Sequence, residues 1–216
     1  MNMDNLNKLE PIDSRSQSLL SKFTKGFELD WSAFNRSIDE NGIELREFGI
    51  EECTKSAKEI FTPEVIKKRV TFSPEKKREF CSQYAERVSK AFELVDYKGL
   101  VFESLEDGVM GYNRGDGIVH LTNKFLTSPF SSLEMIDTIT HELRHQYQYE
   151  AMKGKHSISE DVRKEWIQAN KDYTTEKPWA LDPWGYKYNP LELDARYAGE
   201  TVVRNLTKDY IVENLV

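Results

Sequence analysis

Residues 131–152, SSLEMIDTITHELRHQYQYEAM, constrain this 216-residue chain more than any other stretch. Ser131 followed by Glu134 forms an S-x-x-E capping box, which satisfies backbone N–H groups that a first helical turn leaves without partners. Leu133, Ile136, Leu143 and Tyr147 trace an apolar stripe, and Lys153 and Gly154 fit a C-terminal cap. The spacing predicts a helix running to Met152, with its apolar side pressed on another layer.

The neighbouring segments suggest what that layer is. GLVFESL (99–105), GVMGYNR (108–114) and GIVHLTN (117–123) are short strand-like runs separated by the Gly/Asp turns EDG and GDG. Close spacing with glycine at the turns predicts an antiparallel meander. Upstream, Ser73 caps and Pro74 opens a helix over 73–96, with Phe80, Tyr84, Val88, Ala91, Phe92 and Val95 on its apolar side. Downstream, a helix is predicted over 159–170, then an aromatic loop over 172–190 with Trp179, Trp184, Tyr186 and Tyr188. Asn189 and Pro190 open a last helix, whose apolar side is set by Leu191, Ala195, Ala198, Val202 and Leu206. The expected fold is α+β: a small antiparallel sheet packed against the 131–152 helix, with further helices on either side. Residues 1–70 read as a lead-in or accessory region and 71–216 as the main domain.

Composition removes several classes of function. Hydrophobic residues make up 38%, aromatics 12% and charged residues 31%, the balance of a globular chain rather than a disordered one. A formal charge of −7 without a long basic segment argues against a nucleic-acid partner. No run approaches the ~20 apolar residues of a membrane span, and the first 20 residues lack the pattern of a secretory signal. Cys53 and Cys81 are the two cysteines, too few for a disulfide framework or a thiolate zinc site. A cytoplasmic location is the expectation.

Chemistry concentrates in HELRH. Four positions make about one helical turn, so His141 and His145 project from one face and can share a cation. Neutral imidazoles suit Zn²⁺. Glu142 lies beside the first histidine, where its carboxylate can take a proton from a water on the metal and return it to a leaving amine. The remaining histidines read differently: His120 as a strand residue facing solvent or a neighbour, His156 as solvated. Arg144 is expected on the surface, and Gln146 against the backbone of the meander.

HELRH on a helix after a small sheet resembles the zincin metallopeptidases, and NPLELDARYA (189–198) is similar to the glutamate-bearing helix of their gluzincin branch. The resemblance covers roughly 99–206 and implies hydrolysis of a peptide or protein substrate with one Zn²⁺. Glu192 and Ala195 match that helix's E-x-x-A, which implies Glu192 as third ligand beside His141 and His145. Asp194 stays open as the alternative ligand, although Glu192 borders the apolar side of the helix more closely. Arg196 stands where the family carries an acidic or amide residue that steadies the first histidine. The strand at 117–123 is expected to align substrate backbone, and a tyrosine of the aromatic loop to donate to an oxyanion. A zinc hydrolase acting on a non-protein amide, a catalytically silent binding module and a metal-free interaction protein are the competing classes.

Overall fold

Helix starts follow capping chemistry closely. In the computed structural model, which describes residues 45–127, 132–173 and 189–215, the Ser73 hydroxyl accepts from Lys76 N at 3.3 Å and Pro74 takes the first helical position. Asn189 Oδ1 likewise accepts from Leu191 N at 2.9 Å, with Pro190 opening the helix that follows. Seven α-helices are described: α1 Ile50–Ile60, α2 Pro63–Lys68, α3 Pro74–Ala91, α4 Lys124–Thr127, α5 Ser132–Met152, α6 Glu160–Tyr173 and α7 Pro190–Leu215. Ser131, the aromatic loop with Trp179, Trp184, Tyr186 and Tyr188, and residues 1–44 lie outside the described residues.

Two helix ends are informative. α5 stops where expected, with Gly154 in the left-handed region (φ 80°) and its N–H donating to Ala151 O at 3.0 Å. α3 is shorter than its sequence pattern: the chain leaves it through left-handed Glu93 (φ 53°), with Leu94 N donating to Ser89 O at 2.9 Å. Val95 therefore falls outside the helix and is 67% exposed, not part of the apolar side.

The sheet departs from the expected meander. β1 (Gly99–Glu103) pairs in parallel with β3 (Ile118–Thr122), while β2 (Gly111–Asn113) pairs antiparallel with β3, giving the order β1-β3-β2. The sheet is mixed. Side-chain alternation reports which face a residue occupies and is the same in either pairing direction, so the pattern carried no information about neighbours. The GDG turn joins paired strands, with Gly115 and Gly117 both at positive φ (71° and 91°), whereas the segment around EDG carries the chain from one outer strand to the other. β3 is the central strand and not an edge, so the role expected of 117–123 as a free substrate edge is corrected. The outer strands are β1 and β2, and β2 lies against α5.

Among the described elements, α5 packs against α3, α6, α7, β2 and β3. It packs most extensively on α7, and α1 packs on both α3 and α7. Cys53, Ala57, Tyr84, Val88, Ile139, Leu143, Ala195, Ala198 and Val202 are all fully buried there. Each large apolar side chain in such a core contributes about 1.5–3 kcal/mol. The residues expected on the apolar side of α7 are buried throughout, and the two cysteines are free and buried.

Candidate metal centre

Helix periodicity and one interhelical contact build the site. His141 and His145 stand one turn apart on α5, with their Nε2 atoms 3.0 Å from each other. α7 crosses beside them and brings the carboxylate of Glu192, 1% exposed, to that point. Oε1 is 3.1 Å from His145 Nε2 and Oε2 is 3.6 Å from His141 Nε2. Among the described residues, His141, His145 and Glu192 are the one group of His, Cys, Asp or Glu whose donor atoms converge this way.

The donor set fits a tetrahedral cation. With zinc–ligand bonds of 2.0–2.1 Å, donors at tetrahedral angles sit about 3.3–3.4 Å apart, between the shortest and longest separations found here. The two imidazole nitrogens cannot both carry hydrogen at 3.0 Å. Burial, reinforced by His145 itself, pushes His141 down to about 4. Burial also opposes charge on His145, but the Glu192 carboxylate and its hydrogen bond outweigh it and raise the ring to about 9. Nε2 of His145 thus faces the Glu192 carboxylate on one side and the His141 ring on the other.

Glu142 lies next to this group and is 6% exposed. Burial raises its carboxyl to about 8, with Glu192 and Asp137 pushing the same way and His145 opposing. An acid that titrates near neutrality can both accept and release a proton. Tyr149, one turn beyond His145, packs over the β2–β3 turn. A Cβ on Gly115 would meet its ring at 2.7 Å. Its phenol is raised by burial, with added repulsion from Glu142 and Glu192.

Asp194 is placed elsewhere. Its Oδ2 accepts from Arg144 Nε at 2.8 Å and its Oδ1 from Arg144 Nη2 at 3.0 Å, so this carboxylate pairs with Arg144. Arg144, expected on the surface, is fully buried. Its Nη2 also donates to Leu45 O at 2.7 Å and its Nη1 to Phe48 O at 3.3 Å, and its guanidinium lies over the Tyr147 ring at 4.9 Å. Burial of an arginine is tolerable because nearly every donor is used. Arg196 Nη2 stands 3.9 Å from Glu192 Oε2, flanking the third donor.

The other polar residues near the motif divide in the same way. Gln146 accepts from Gly117 N at 3.2 Å, the backbone contact expected of it. His120 bonds Glu103 Oε1 at 2.7 Å and stacks on Tyr112, outside the donor group. His156 is not solvated: its side chain is 8% exposed, and Nε2 lies 3.0 Å from Glu150 Oε2. Sequence reasoning passed over Gln148, whose Oε1 is 2.8 Å from His145 Nδ1. Its signal was visible as a glutamine one turn after the second histidine.

No family model, no curated protein and no solved structure matches the chain.

Proposed function

We propose that the chain is a zinc-dependent metallopeptidase, with His141, His145 and Glu192 holding the metal and Glu142 as general base and then acid. The observation that carries this reading is the convergence of the two Nε2 atoms and the Glu192 carboxylate within 3.0–3.6 Å on two helices. Zinc supplies a Lewis acid that brings the pKa of water toward neutrality and polarises a carbonyl. Glu142 then takes a proton from the attacking water and delivers it to the departing amine, a transfer suited to a carboxyl raised to about 8 by burial. Burial of Glu142 also keeps bulk water from competing for that proton. β2, the outer strand against α5, replaces β3 as the strand that aligns an extended peptide by main-chain hydrogen bonds. No helix among the described residues is long and apolar enough to cross a membrane.

The test combines metal content with turnover. Wild type should retain close to one equivalent of zinc after loading and desalting, and should cleave members of a peptide library. Glu142→Gln should retain the zinc and lose cleavage by about 10²–10⁴-fold. Wild-type cleavage by that variant refutes the mechanism. Less than about a tenth of an equivalent of zinc on the wild type refutes the metal site.

A further inference from the structure

A primary amide has two unlike ends, and its neighbours decide which end faces which way. Gln148 is 1% exposed. Its Nε2 donates to Leu191 O at 2.9 Å and to Asp194 Oδ2 at 2.8 Å. A carbonyl oxygen and an ionised carboxylate only accept, so turning the amide round would set oxygen against oxygen twice. Oε1 is therefore held toward His145 Nδ1, 2.8 Å away. An amide oxygen also only accepts, so His145 must carry hydrogen at Nδ1. When the ring is neutral its lone pair lies on Nε2, the atom that faces His141 and Glu192.

The direction of this chain depends on its far end. Asp194 acts as a pure acceptor because Arg144 grips both its oxygens, at 2.8 and 3.0 Å. With both oxygens held as acceptors by Arg144, the carboxylate keeps its place against the amide of Gln148 at 2.8 Å. We infer that Arg144, Asp194 and Gln148 are positioning residues, a directional hydrogen-bond relay that sets the tautomer of His145 and so selects Nε2 as its ligating atom. The relay assigns a task to Asp194, which lies outside the donor group, and to a buried cation whose hydrogen bonds go to Asp194, Leu45 O and Phe48 O. Its value for metal binding rests on the zinc reading above; the tautomer itself does not.

The experiment uses the full chain with ¹⁵N-labelled histidine, read by NMR before and after zinc addition, together with zinc affinity from competition with a chromogenic chelator. In wild type, His145 should show hydrogen at Nδ1 in slow exchange with solvent, and zinc should shift Nε2. Gln148→Met, similar in length but without an amide, should exchange its Nδ1 hydrogen rapidly and bind zinc about 10–100-fold more weakly. A wild-type neutral His145 with hydrogen on Nε2 and none on Nδ1 overturns the relay, whether or not the variant folds. So does a folded Gln148→Met with wild-type affinity and slow Nδ1 exchange. Wild-type protein that takes up no zinc but keeps a slowly exchanging Nδ1 hydrogen supports the relay and refutes the metal reading.

Discussion

Arg144 and Asp194 form a buried ion pair, and the cost of losing one partner should depend on whether the other is still present. Arg144→Met keeps most of the side-chain volume but strands the Asp194 carboxylate and removes the donors to Leu45 O and Phe48 O. Breaking a buried pair from one side costs about 3–5 kcal/mol, and the lost carbonyl contacts place this variant toward the upper end. Asp194→Asn in wild type leaves the guanidinium uncompensated and should cost about 2–3 kcal/mol. In the Arg144→Met background the sign should reverse, because the neutral amide relieves a stranded charge and still offers Gln148 an acceptor. The coupling energy should then exceed 2 kcal/mol or so, against at most about 1 kcal/mol for an exposed pair. Urea denaturation of the four proteins in chelator gives all the terms. Asp194→Asn destabilising by equal amounts in both backgrounds would falsify the picture of an enclosed, mutually dependent pair.

Three further outcomes follow from other contacts. Glu192→Gln should weaken zinc binding by more than the about 10–100-fold set for a supporting residue, measured by the same chelator competition, because it removes a donor to the cluster itself. Gly199→Ala should lose at least about 1 kcal/mol in urea despite the gain in helix propensity; the new Cβ overlaps the Asp137 carboxyl and falls 2.9 Å from the Asp137 backbone oxygen, so α7 must shift off α5. Unchanged or raised stability would show that the two helices have slack at that crossing. Burial works against the Glu150 charge, but hydrogen bonds from Gln146, Val95 N, Asp96 N and His156 outweigh it and hold the carboxyl below its ordinary 4.5. A folded-state pKa below the unfolded one gives stability that is full above about 4.5 and lost as pH falls through the folded value. Glu150→Gln should therefore be less stable at pH 7 and show a flatter acid limb of urea midpoint against pH.

Local chemistry was readable in the sequence and distant partnership was not. Ser73–Pro74 and Asn189–Pro190 announce helix starts because a cap acts within three residues of itself. The one-turn spacing of His141 and His145 is equally local, as is the C-terminal glycine at 154. The apolar side of α7 favours Glu192 over Asp194 toward the histidines, and the structure gives each carboxylate a separate partner. Strand order was hidden because β1 meets β3 in parallel across an intervening strand, a pairing that leaves no mark on alternation. Arg144 reads as a surface residue for the same reason, since its carboxylate is fifty residues away on α7; His156 has Glu150 only six residues away, but only the folded arrangement shows that charge turned inward.

The position of α7 along the chain has a consequence in time. During vectorial synthesis, α5 is made with His141, His145, Gln148 and Arg144 already on it, but Glu192, Asp194 and the Leu191 carbonyl come after every other described element. Until that segment arrives, one donor of the cluster and the counter-ion of an inward arginine are both missing. A nascent chain halted short of Asn189 can neither assemble the donor set nor comfortably enclose Arg144. If the proposed metal site is right, metal capture and final closure of the core are one late event; in either case an unfinished molecule is marked by an unneutralised cation at the place its core should seal.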